Sequence, residues 1–330
     1  MHDLYPWLQP YYDKIIDAFR RGRGHHALLF KSEQGVGVEQ LIRATAQRLI
    51  CTQPHENAPC GQCHACRLLV AGNHPDVYYL ASQENRDIGI EQVREINEKL
   101  TQFAQQNGNK ILFVKEAERL TESAANAMLK TLEEPRPNTY FLLQTDVSAP
   151  LLATIYSRCQ VWTIHLPAER IALNWLAQQG EWSAEEREIA LRVNYGRPLS
   201  ALTMLQQNLL EKRKMFLRQF WLFYSRRSPL ELLPFFDNAL IFQQLDWLAS
   251  FLSDALKAKL GISQGLINTD LARGIEQFNA QQSAQDLLQA NAIIAKVRSD
   301  LAQINGVNQE LILLDGLTRL ITDVFEKKDK

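Results

Sequence analysis

No apolar run in this sequence approaches the roughly 18 residues that a membrane-spanning helix needs, and its opening, MHDLYPWLQP, lacks the apolar centre of a secretory signal. Both absences lead to the expectation of a cytoplasmic protein. A large excess of one charge is missing too: 36 Lys and Arg stand against 37 Asp and Glu, for a formal net charge of −1. That balance argues against a dedicated nucleic-acid coat and leaves room for a local basic patch at most. No internal repeat or low-complexity tract is evident. What is present is ordinary for a soluble globular protein, with 46% hydrophobic and 22% charged residues. At 330 residues the chain is long for one core, and two or three domains are expected.

Cysteine is scarce, with five in the chain, yet four of them fall within CTQPHENAPCGQCHAC as Cys51, Cys60, Cys63 and Cys66. Two CxxC steps share their middle cysteine, and Cys51 is placed to close a tetrahedral Zn²⁺ site. A disulfide framework suits small secreted domains, whereas this chain is long and carries no secretory signal, and a reducing compartment favours thiolate–metal bonds. An iron–sulfur run would need another cysteine where Val70 stands. His55, His64 and His74 are spare ligand candidates, although a lone histidine near a metal site is more often a surface residue. Four thiolates leave no open position for water, so the expected zinc is structural. The alternative of a zinc-dependent DNA reader finds little support, because HENAPCGQCHACRLL offers only Arg67 as a base.

The hydrophobic pattern divides the chain. His26 to Lys31 reads as a strand, followed by the loop EQGVGVEQ and a helix through Leu41, Ala46 and Ile50. Asp76 to Leu80, Lys110 to Val114 and Tyr140 to Gln144 read as further strands, the last two as runs covered on both faces. Between them lie a helix over Ile90 to Phe103 and one capped by Ser123 and ending before Pro135. Strands alternating with helices predict a parallel α/β sheet over about the first 165 residues. After Pro167 the strands stop. Three short helices are expected over 171–205, then a wholly helical region from Leu209, including Asp246 to Leu260, Leu287 to Ile304 and Gln309 to Phe325.

The strand, loop and helix over 26–50 stand where a P-loop NTPase keeps GxxxxGK[ST]. Gly37 matches the second glycine, but Ser32 replaces the first, Val38 the lysine and Glu39 the Mg²⁺-binding hydroxyl. Glu39 would set a negative charge beside a polyphosphate. Taken alone, the loop could equally be a plain glycine turn. KILFVKEAERL then repeats the failure: it has the form of a Walker B strand, with Lys115 at the position of the Mg²⁺-binding Asp and only Glu116 left. Two failures at the phosphate and metal positions predict an NTPase fold without its chemistry.

SAANAMLKTLEEP (123–135), TIYSRC (154–159), the CxxCxxC insertion and the opening YPWLQP together resemble the AAA+ clamp-loader family of bacterial DNA polymerase III. The resemblance is strongest from residue 4 to about 165. It implies an AAA+ domain over 1–165 with a zinc module at 51–66, a helical lid over 166–208 and an all-α collar over 209–330. It also implies a hetero-pentamer with γ or τ and δ subunits that opens the β sliding clamp and places it on primed DNA. The broken motifs select the member that binds no ATP, with an active γ or τ type ATPase as the alternative. Arg158 of SRC would then act as an arginine finger on the ATP of an adjacent subunit, as a permanently charged fork of donors can. Without that resemblance Arg158 reads as a local salt bridge. Thr145 falls at the first sensor position and Leu199 where active members carry a sensor arginine, while Ser157 and Cys159 are expected to shape the turn and pack.

Overall fold

The computed structural model describes residues 4–82, 86–303 and 308–326, which leaves Ile304 and the last four residues of the chain outside the described residues. The chain divides into two compact units, one up to Ile171 and one from Ala172.

In the first unit, strands β1 (Ala27–Ser32), β2 (Val77–Leu80), β3 (Lys110–Val114), β4 (Thr139–Asp146) and β5 (Gln160–Ile164) form one parallel sheet. Its order is β2-β3-β4-β1-β5. Interior β1 pairs with β4 from Ala27↔Phe141 to Ser32↔Asp146, and with the edge strand β5 from Leu28↔Gln160 to Ser32↔Ile164. Its helices are α1 (Gln9–Arg20), α2 (Val38–Ile50), α3 (His64–Val70), α4 (Ile90–Thr101), α5 (Glu122–Glu133) and the short α6 (Ala153–Tyr156). Alternation along the strands sends Leu29, Leu112, Phe141 and Leu143 into a core with Val93 and Leu100 of α4 and Met128 and Leu132 of α5. Leu28, Phe30, Ile111 and Leu142 point the other way and are equally buried, with α2 against β1 and β3 and α1 against α2. Coverage of both faces explains why these strands read as unbroken apolar runs.

Two local expectations are corrected. The cap of α5 is Thr121, whose hydroxyl accepts from Ala124 N at 3.2 Å, and Ser123 lies inside the helix. Helix α4 stops at Thr101 rather than Phe103, because the buried Lys110 ammonium turns back to donate to the carbonyls of Leu100 and Gln102. Phe103 is left 88% exposed, so it belongs to no apolar stripe. Strand β5 and helices α1 and α3 did not stand out in the pattern.

Among the described residues of the second unit every regular element is a helix. It contains α8 (Ala184–Val193), α9 (Pro198–Gln206), α10 (Leu209–Arg226), α11 (Ile241–Lys259), α12 (Ala272–Asn279), α13 (Ala284–Gln303) and α14 (Gln309–Arg319). Helix α7 (Glu169–Leu176) runs across the division between the units. Rings of Phe220, Phe223, Tyr224, Phe251, Phe278 and Phe325 pack at 4.8–6.2 Å, Phe220 stacked on Phe223 and the other pairs edge to face or tilted. Beside them Arg213 of α10 is fully buried and donates to Asp270 Oδ2 at 2.8 Å and to the Asn268 side-chain oxygen. Asp254 of α11, also fully buried, accepts from Ile267 N at 2.8 Å and Asn268 N at 2.6 Å, so two ionic anchors fasten the loop before α12. Removing one partner of a buried pair strands the other charge at a cost of about 3–5 kcal/mol. Arg213→Ala is therefore expected to lower the unfolding free energy of this unit by about that amount. Urea denaturation followed by tryptophan fluorescence measures it; a change below about 1 kcal/mol would show that the pair contributes no more than a surface bridge.

Candidate functional site

At the end of β1 the chain turns through Glu33 to Gly37 into α2. Gly35 and Gly37 have φ of +79° and +82°, and Gly37 is the N-cap of α2, so the glycines serve a backbone path that other residues adopt at a cost. The N-terminal segment braces the loop. Trp7 Nε1 donates to the Val36 carbonyl at 2.9 Å, Tyr5 N donates to Gln40 Oε1 at 2.7 Å, and the two rings stack with centroids 5.0 Å apart. The YPWLQP opening is thus a strap over the loop. Val38, in the lysine position, is buried, and Glu39 accepts from Gln144 Nε2 at 3.0 Å.

Lys115 and Glu116 follow β3 directly, with Glu116 in the left-handed region at φ +55°. They face the loop across a cavity of about 280 Å³, which Glu33, Glu39, Glu116, Glu118 and Asp146 line against the single cation Lys115. Ser32 and the buried Thr145 line it too. Like charges gathered in one partly enclosed space repel one another and any anion that enters it. A polyphosphate placed there would meet that repulsion with Lys115 as the one lining cation to offset it.

The four clustered cysteines come together as their spacing predicts. All four Sγ atoms lie within 4.8 Å of one another, with Cys51 and Cys66 buried and Cys60 and Cys63 half-buried. Backbone amides aim at the sulfurs in sequence: Cys60 N at Cys51 Sγ (3.2 Å), Cys63 N at Cys60 Sγ (3.3 Å) and Cys66 N at Cys63 Sγ (3.4 Å). Burial works against the Cys63 thiolate, yet hydrogen bonds from Thr52 and from the Cys66 amide outweigh it and bring the thiol down to about 5. The Cys63 and Gln62 amides likewise lower Cys60, whereas burial raises Cys51 and Cys66. Such amide donors orient thiolates toward a common centre, and a closed set of four sulfurs fits a tetrahedral divalent ion. Among the described residues the cluster contains no histidine, so His55, His64 and His74 stand outside it. Cys159 is apart as well, packed against the sheet core with its thiol raised to about 12 by burial.

Arg158 lies between α6 and β5. Its Nε donates to Glu133 Oε1 at 2.6 Å, Nη2 reaches the same carboxylate, and Nη1 donates to the Thr154 carbonyl at 2.9 Å and to Ser157 Oγ at 3.2 Å. The side chain is 28% exposed. Sequence reasoning singled out Arg158 and passed over Glu133, although Glu133 sits inside the LKTLEEP motif. It also missed the strap and the carboxylates Glu33, Glu118 and Asp146. Leu199 lies in the first turn of α9, which Pro198 opens.

The chain is similar to known proteins along nearly all of its length. A family model described as DNA polymerase III, delta subunit, matches residues 8–168, and its C-terminal counterpart matches residues 207–322. Residues 167–206 match the AAA+ ATPase lid domain of DNA polymerase III subunit delta'. A DNA polymerase III subunit delta' of Haemophilus influenzae is 59% identical over 326 residues, covering 99% of both chains. The chain belongs to the DNA polymerase III delta' subunit family. The member of this family from Escherichia coli is 37% identical over 319 residues, covering 96% of this chain and 95% of its own. In fold, a gamma subunit-related protein of DNA polymerase III from Thermotoga maritima superposes with a TM-score of 0.52 at 18% identity, over 97% of this chain and 100% of that one. Among the described residues no helix is long and apolar enough to cross a membrane.

Proposed function

We propose that this chain is the non-hydrolysing subunit of a DNA polymerase III clamp loader, a fixed member of a hetero-pentamer with γ or τ and δ subunits. In that role it helps open the β sliding clamp and place it on primed DNA in the cytoplasm. The observation that carries the reading is the cavity at the phosphate loop, where Val38, Glu39 and Lys115 stand at the positions of the lysine, the hydroxyl and the Mg²⁺-binding Asp, and five carboxylates line the space a polyphosphate would enter. Its organisation follows as an AAA+ domain over 1–165, a lid over 166–208 and a collar over 209–330. Cys51, Cys60, Cys63 and Cys66 would hold one structural Zn²⁺, which supplies a rigid tetrahedral cross-link and no reactive position. Arg158 would serve the ATP site of an adjacent γ or τ subunit, since a guanidinium presents its donors as a planar fork to phosphate oxygens. The test joins two measurements. Calorimetry on the isolated chain is expected to show no Mg²⁺-ATP binding, and mixing with purified γ and δ is expected to give one larger complex by light scattering. Micromolar ATP affinity would favour the γ or τ type ATPase, and failure to enter a complex would sink the assembly role.

A further inference from the structure

Arg158 is held by its neighbours in a way that the finger role does not require. A guanidinium has five N–H donors. The Nε–H and one Nη2–H go to Glu133, and the Nη1 group serves Thr154 and Ser157, which leaves a single Nη2–H uncommitted. A fork gripping phosphate oxygens needs two parallel donors. The geometry therefore shows Arg158 engaged, in a state unable to grip.

Glu133 is also oddly placed for its own helix. It is the last residue of α5 and Glu134 follows it, so two carboxylates stand at the end where the helix dipole favours cations. Neither contributes to helix stability there, and Glu133 gains its compensation from Arg158, 25 residues onward. The pair is accessible, with side chains 28% and 47% exposed. A bridge of that exposure is worth about 1 kcal/mol or less. That is strong enough to choose a resting position and weak enough for a polyphosphate to outcompete.

Resting on the finger reading above, we propose that Glu133 is the positioning residue of Arg158. Its carboxylate parks the guanidinium in the free subunit, and a nucleoside triphosphate held by a neighbour draws the guanidinium off. The parked state keeps an unsatisfied cation from the subunit surface until the proper anion arrives.

The experiment has two arms. In the isolated chain, water exchange of the Arg158 Nε–H is followed by ¹⁵N NMR. Glu133→Ala is expected to speed it by about two- to fivefold, the factor a surface bridge of this strength gives, with Glu133→Gln in between and the unfolding midpoint unchanged. In the reconstituted complex at sub-saturating ATP, Glu133→Ala is expected to raise ATP turnover, by less than that factor because Arg158 serves one of several sites, and the rise should vanish in Glu133→Ala/Arg158→Ala. Unchanged exchange would overturn the parked state. Unchanged or lower turnover in a complete complex would overturn the release step, a fall making Glu133 a support for the finger. Should Arg158→Ala alone leave turnover unaltered, the finger reading fails and the release step with it, while the exchange arm still reports whether Glu133 holds the side chain.

Discussion

Arg158→Ala in the assembled complex is expected to depress DNA- and clamp-stimulated ATP turnover while leaving folding, metal content and assembly intact. Where a single site is isolated, removing an arginine finger costs roughly 10³ to 10⁵ in rate, because the guanidinium offsets charge on the transferring phosphoryl group. Several ATP sites operate in such a loader, so the loss for the whole complex is smaller, and clamp loading should fall with it. Folding is spared because Arg158 is partly exposed and its partners Glu133, Thr154 and Ser157 remain open to water. Arg158→Lys should restore only part of the rate, since an ammonium keeps the charge and loses the planar fork. A correctly assembled Arg158→Ala complex that turns over ATP and loads clamps at the parent rate would reduce Arg158 to a local brace between α5 and β5.

Metal analysis of protein prepared without added zinc is expected to find one Zn²⁺ per chain. Structural zinc in small domains carries about 10–16 kcal/mol of apparent binding free energy, so the ion should survive dialysis and leave only to a strong chelator. The cluster hangs between α2 and β2, outside the sheet, and this decides what its loss would damage. Cys63→Ser, or chelation, is expected to raise hydrogen exchange through 51–71 by orders of magnitude while amides of β1, β3 and β4 stay protected. A folded protein free of metal, or one with an iron chromophore, would defeat the assignment.

How far the sequence could be read follows from the range of the forces involved. Strands β3 and β4 were legible because burial on both faces leaves unbroken runs such as Lys110–Val114. Strand β5 was not, for it lies at an edge with Gln160 and Val161 exposed, and its pattern resembles a loop. Thr121 and Ser123 both carry a capping hydroxyl, and the choice fell to Thr121, which has the extended backbone of a cap where Ile88 bridges to Leu120. The cysteine cluster was legible because its ligands are neighbours in the chain. Pairs set by the tertiary fold were invisible: Arg158 with Glu133, Arg213 with Asp270, and Trp7 with the Val36 carbonyl. Sequence spacing reports contacts one helical turn away and is silent on these.

The register of β5 on β1 has a mechanical consequence. Five consecutive pairs, Leu28↔Gln160 through Ser32↔Ile164, rivet the strand that follows Arg158 to the interior strand β1. The same strand β1 ends in the loop that Tyr5 and Trp7 strap down. A pull on Arg158 from outside is therefore borne in shear by a full ladder of hydrogen bonds rather than by a hinge. The backbone beneath Arg158 behaves as a stiff bracket, and the motion left to the arginine is the swing of its side chain.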